Sequence, residues 1–89
     1  MKKCFIKYLK KIQALQVEVA GKGSFHVESY KFLNTEDDKE VIDYLFDATV
    51  NTGDNRYERF VFYSWQKESQ YEEEYSRLCE YLQNVGWLD

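Results

Sequence analysis

Proline is missing from this 89-residue chain, and cysteine, histidine and methionine are scarce, at two, one and one. Without proline there is no polyproline segment and no cis-proline turn. Cys4 and Cys79, one near each end, are too few for a disulfide scaffold and read as reduced thiols. His26 stands alone, so no set of His and Cys has metal-ligand spacing, and neither a metal nor a cofactor is expected. No apolar run approaches the ~20 residues that cross a bilayer. The stretch after Met1-Lys2-Lys3 is broken by Lys7, Lys10 and Lys11 before it could form the apolar centre of a secretory signal. These absences point to a cytoplasmic protein with no membrane partner. The length excludes a dinucleotide-binding sheet or an eight-stranded barrel and predicts a single domain over residues 1–89.

Aromatic residues, by contrast, are plentiful: eight Tyr, six Phe and two Trp, 18% of the chain, which rules out a disordered tail. A core of this size does not easily absorb all of them, and surface Tyr and Trp are the residue types that dominate interface energetics. The net charge of −4 conceals an asymmetry. Residues 1–31 carry seven lysines against Glu18 and Glu28, a net of +5, whereas residues 32–89 carry a net of −9. Two halves that attract each other within the fold explain such a split without any partner.

The last element is the clearest. Tyr71, Tyr75, Leu78, Leu82 and Val85 recur at helical spacing, with Ser69 and Glu72 as a capping box. Gly86 stops the helix, and Trp87 is placed to fold back on Leu82. A second helix is predicted from Thr35, with Glu36-Asp37-Asp38 in its first turn and Val41, Ile42, Leu45 and Phe46 on its buried face. Residues 51–55 read as a loop, and residues 56–66 as a strand with Phe60 and Phe62 on one side and Tyr57, Val61, Tyr63 and Trp65 on the other. Leu15, Val17 and Val19 alternate, as do Phe25 and Val27, predicting a hairpin turned at Gly21-Lys22-Gly23. Upstream, Phe5, Tyr8, Leu9 and Ile12 fit a helix while Cys4, Ile6 and Tyr8 fit a strand, and extended structure is taken. The expected fold class is α+β: a small antiparallel sheet of about three strands packed against two helices, in the order strand, strand, helix, strand, helix.

Catalysis finds little to work with. Cys79 lies beside the apolar stripe of its helix and reads as an inert thiol, not a nucleophile. Gly21-Lys22-Gly23 lacks the further glycines, the Ser/Thr and the helix of a phosphate loop. No enzyme is expected. The acidic triplets Glu36-Asp37-Asp38 and Glu72-Glu73-Glu74, with Asp43, Asp47 and Glu80, either favour helix starts at ~0.3–1 kcal/mol each or imitate a phosphate backbone. The basic opening is interleaved with Phe5 and Tyr8, but it lacks arginine and the chain is acidic, so direct nucleic-acid binding is expected to be weak or absent. Candidate partner-binding residues are therefore Tyr57, Tyr63 and Trp65 with Asp43, Asp47, Glu72, Glu73 and Glu80.

The opening Met1-Lys2-Lys3-Cys4-Phe5-Ile6-Lys7-Tyr8-Leu9, followed by a strand and a turn at Gly23-Ser24, resembles the start of small phage anti-CRISPR inhibitors of type I surveillance complexes. The resemblance covers the first quarter of the chain and carries no binding residue across. It implies a non-catalytic inhibitor that occupies the basic surface of a larger protein or ribonucleoprotein complex. Two other readings compete: an immunity protein that caps a toxin nuclease, and a nucleic-acid-binding module built on the lysine-rich opening.

Overall fold

The structure, a computed structural model, describes residues 3–53 and 56–89. Helix α1 (Lys3–Glu18) leads into three strands, β1 (Ser24–Glu36), β2 (Lys39–Gly53) and β3 (Arg56–Tyr63), and helix α2 (Glu68–Asn84) closes the chain. The strands form one antiparallel sheet in the order β1-β2-β3. The class is α+β as expected, but the element order is helix, strand, strand, strand, helix.

Helix α1 takes the place of the expected first strand. Its buried residues Phe5, Tyr8, Ile12 and Leu15, with Val19 just beyond, step by three and four and so lie on one helical face. The alternation of Leu15, Val17 and Val19 was a coincidence of that stripe: Val17 is 77% exposed. Residues 19–23 are then a helix-to-strand connection and not a hairpin turn. The segment behind the anti-CRISPR resemblance, Phe5 to Leu9, is accordingly helical, and Gly23-Ser24 follows that connection.

The predicted helix over 35–46 is also absent. Asp37 and Asp38 adopt positive φ of 50° and 61°, the paired left-handed geometry of a two-residue hairpin turn, and Glu36 pairs directly with Lys39. Asp serves a helix start and a left-handed turn equally well, so the acidic triplet does not distinguish them. What decides is pairing: β1 and β2 register over thirteen consecutive positions, from Ser24–Asn51 to Glu36–Lys39. Asp43 and Asp47 therefore sit on a strand. The loop expected at 51–55 shrinks, because β2 runs to Gly53 and Gly53 lies opposite Arg56. Its remaining residues, 54 and 55, lie outside the described residues.

Both helices cover one face of the sheet. Phe25, Phe46, Ala48, Val50, Phe60 and Phe62 supply the sheet side of the core, and Tyr71, Leu78 and Leu82 join from α2. The strand expected over 56–66 runs only from Arg56 to Tyr63, with Phe60 and Phe62 inward as expected, and Trp65 lies in the turn that follows it. Helix α2 starts at Glu68, with the Lys67 amide donating to Gln70 Oε1 at 2.8 Å in place of the Ser69 box. Glu72, Glu73 and Glu74 consequently fall beyond its first turn. Its end is as expected: Gly86 has φ 81°, its amide donates to Gln83 O at 3.0 Å, and the Trp87 amide donates to Leu82 O at 2.8 Å. The Trp87 indole comes to rest on Gly23, where a Cβ would collide with it. That contact ties the C-terminal stop to the entrance of β1.

One ion pair and one cation–aromatic contact join the basic start to the acidic end. Lys7 pairs with Glu68 at 3.6 Å, and Lys11 Nζ lies 4.5 Å from the Tyr75 ring centroid and 4.9 Å from that of Tyr8. Basic α1 thus lies against acidic α2.

Candidate binding face

The sheet face away from the helices is uncovered. Strand alternation places Ser24, His26, Glu28, Tyr30, Phe32 and Asn34 of β1 on it, with Asp43, Leu45, Asp47 and Thr49 of β2 and Tyr57, Arg59, Val61 and Tyr63 of β3. Cross-strand pairing lines up Tyr30, Leu45 and Tyr63 in one row. The Tyr63 ring stacks on Trp65 at 5.2 Å between centroids and meets Phe32 edge-on at 6.2 Å. Tyr30 is 45% exposed and Trp65 43%. Phe32, Tyr63 and Trp65 therefore form a half-open cluster, with Tyr30 in the same cross-strand row, and no element of the described residues packs over it.

Acidic groups border this cluster, and each is held in place. The Asp43 carboxylate accepts from Asn34 Nδ2 at 2.8 Å and from the Ser64 hydroxyl at 3.2 Å; that hydroxyl also accepts the Tyr44 amide at 2.9 Å. Glu28 accepts the Tyr30 hydroxyl, which pushes the phenol pKa up. Asp47 is buried beneath Arg59, which donates Nη2 at 2.6 Å and Nε at 3.1 Å to the same oxygen; this holds the guanidinium even more firmly charged. Arg59 is thereby committed to Asp47. Among the described residues, neither Glu28 nor Asp43 has a cation within salt-bridge distance.

Of the candidates from sequence, Tyr63, Trp65 and Asp43 meet here, though Asp43 arrives from a strand. Asp47 shares the face but is spent on Arg59. Tyr57 is exposed on the same face opposite Asn51, three alternate positions from Tyr63 and about 20 Å along the strand, so it stands apart from the cluster. Glu72, Glu73 and Glu80 belong elsewhere. Glu72 lies toward α1, close enough for its charge to raise the Tyr8 pKa, behind the larger effect of burial. Glu73 and Glu80 line an open groove of about 730 Å³ between α2 and the edge of β3, with Gln66, Gln70, Glu74 and Arg77. There, burial pushes the Glu74 carboxyl up, but hydrogen bonds from Arg77 and the Val61 amide outweigh it and hold the pKa below the ordinary value. Tyr30 and Phe32 were missed. The signal was present in the alternation of His26, Glu28, Tyr30 and Phe32, which continues the strand begun at Phe25 well past Val27.

Burial, then a hydrogen bond to Glu68, raises the Cys4 thiol pKa, the reverse of what activates a nucleophile. Among the described residues no three His, Cys, Asp or Glu side chains converge as metal ligands, and no helix is long and apolar enough to cross a membrane. Comparison with known protein families, characterised proteins and solved structures finds no match to this chain.

Proposed function

We propose that this is a non-catalytic binding protein whose open sheet face docks onto a larger protein. On this reading it acts by occupying a basic surface of a nucleic-acid-processing or defence complex. One observation carries the reading: Phe32, Tyr63 and Trp65 cluster on a face that no described element covers, with Tyr30 exposed in the same cross-strand row, beside carboxylates that have no cation within salt-bridge distance among the described residues. Partly exposed aromatics that lose their remaining water on docking are the residues whose truncation costs most in interfaces, while flanking charges steer encounter. A base-stacking platform would need cations around the rings; Arg59 is bound to Asp47, and Lys31, paired with Tyr44, lies on the helix side of the sheet. The lysine-rich α1 gives the nucleic-acid reading less support, because Lys7 and Lys11 are engaged with α2.

Affinity capture from lysate of the source cell or its host, with the partner read by mass spectrometry, tests this. Trp65→Ala and Tyr30→Ala abolish capture while leaving the thermal melt unchanged, and Glu73→Lys with Glu80→Lys leaves capture intact. Full capture by the aromatic variants together with loss in the acidic pair would transfer the site to the α2 groove.

A further inference from the structure

The two outer edges of the sheet are finished differently. Tyr44 O accepts the Ser64 amide across β2–β3, so even-numbered positions of β2 face β3 and odd-numbered ones face β1. By alternation, the backbone groups of Tyr57, Arg59, Val61 and Tyr63 point outward from β3, and those of Phe25, Val27, Ser29, Lys31, Leu33 and Thr35 point outward from β1. On β3, three consecutive outward positions each carry a side-chain cap: Arg77 donates to Arg59 O at 2.9 Å, Glu74 accepts the Val61 amide at 3.2 Å and Gln66 accepts the Tyr63 amide at 2.8 Å. On β1, caps appear only at the ends of the run. Gln16 Nε2 donates to Phe25 O at 3.0 Å, and Asn34 Oδ1 accepts the Thr35 amide at 2.9 Å. Between them, Val27, Ser29, Lys31 and Leu33 present amides and carbonyls with no partner among the described residues. An open edge of that length is a template for another strand.

A second observation falls on the same edge. On its helix side lie two adjoining apolar clefts. One, of about 270 Å³, is lined by Phe5, Leu9, Ser29 and Tyr44, and the other, of about 180 Å³, by Leu33 and Ile42, with Tyr30 and Phe32 of the opposite face reaching the rims of the first and second. Lys31 lines both. Leu33 and Ile42, a cross-strand pair, are 69% and 55% exposed. Alternate side chains of an added strand recur every ~6.6 Å, so one placed over Lys31 has its neighbours on that face toward the cleft on either side. Lys31 has no carboxylate within salt-bridge distance among the described residues. That unpaired cation selects the occupant. A second copy, paired antiparallel about the centre of 27–33, would bring its own Lys31 within two positions of this one on the same face, like charge against like. A strand carrying an acid at that point would complement it.

We propose that β1 receives an extended segment of the partner protein, which adds to the sheet along Val27–Leu33 with apolar side chains in the two clefts and a carboxylate against Lys31. This mode draws affinity from main-chain hydrogen bonds and specificity from the alternate pockets. It rests on the reading above that the partner is a protein, but it uses a different surface.

The test uses the full chain and a synthetic seven-residue peptide, acetylated and amidated, in which threonine alternates with valine, glutamate and valine. Amide NMR spectra are expected to shift along residues 27–33, saturating below about 5 mM peptide. N-methylation of the peptide amides that face β1 weakens binding about tenfold or more. Ser29→Pro, which removes an outward amide and leaves the ladder to β2 intact, does the same with the fold checked by thermal melting. Lys31→Glu reverses the preference, so that a peptide with lysine in place of glutamate binds better. Equal binding of methylated and unmethylated peptide, or no shift at all, overturns the proposal. So does a wild-type dimer in sedimentation that Ser29→Pro dissociates, because the occupant is then a second copy. If the peptide fails while Trp65→Ala still abolishes partner capture, only strand addition is wrong. If the peptide binds and Trp65→Ala captures normally, the open-face reading is the one that fails.

Discussion

Two aromatic clusters lie on opposite faces of the sheet and share strand β3. On the helix side, Phe46 stacks on Phe62 at 4.7 Å, Phe62 on Tyr71 at 6.1 Å and Tyr71 on Tyr8 at 5.3 Å, a column from sheet through α2 to α1. Every ring in that column is buried. On the other side, Tyr63 meets both Phe32 and Trp65 at similar distances, yet the stack ends at solvent. Ring types and spacing are alike, and the difference lies in what is packed above. The inner column contributes to folding, whereas the outer one retains exposed apolar surface available for association.

The largest expected effect tests the inner column. Phe62→Ala removes a fully buried ring between Phe46 and Tyr71 and costs about 3–5 kcal/mol of unfolding free energy, read from urea melts. A loss under about 1 kcal/mol would mean the column is not the core. Trp65→Ala, its outer counterpart, should change stability by no more than about 0.5 kcal/mol and weaken partner binding by about 2 kcal/mol or more, through faster dissociation. If it unfolds the protein instead, the outer cluster is structural and the comparison collapses.

A smaller effect separates the clusters by pH. Burial pushes the phenols of Tyr71 and Tyr75 up to about 12, with Cys79 adding to the effect on Tyr75. Because the folded values are raised, the stability they contribute is complete below the ordinary tyrosine value near 10 and is lost as pH climbs from there toward about 12. Melting temperature should therefore fall above pH 10, and less steeply in Tyr71→Phe, which keeps the ring without the titrating group. An identical fall in that variant would assign the alkaline loss to other groups. The smallest effect concerns α1. Val17→Lys should leave stability within about 0.5 kcal/mol because that side chain faces water. A loss of several kcal/mol would place Val17 in a buried strand after all.

How far the sequence could be read depended on whether competing patterns made different demands. Helix α2 was legible because Tyr71, Leu78 and Leu82 follow one period and Gly86 stops it; no strand pattern fits those positions. Strand β3 was legible for the converse reason, since Phe60 and Phe62 alternate with Tyr57, Val61 and Tyr63. Ambiguity entered where apolar residues satisfied two periods. Leu15 and Val19 serve both a helix stripe and a strand face, and Val41, Ile42, Leu45 and Phe46 suit a helix or a strand apolar on both sides. At the candidate face, Tyr63 and Trp65 were legible as surplus aromatics, but Tyr30 and Phe32 gained meaning only when β1 extended to Glu36.

The sequence by itself determined the α+β class, the single amphipathic stripe and stop of α2, the inward pair Phe60 and Phe62, and the opposed charges of the two ends. These follow from local period, turn chemistry and composition, which act without reference to distant residues. Only the tertiary structure decided that residues 39–53 are a strand, that α1 is a helix and that one sheet face and the β1 edge stay open. The first follows from thirteen paired positions with β1, the second from a stripe that stacks Tyr8 on Tyr71. The open face and edge follow because both helices lie on one side and the side chains of Gln66, Glu74 and Arg77 close β3 and not β1.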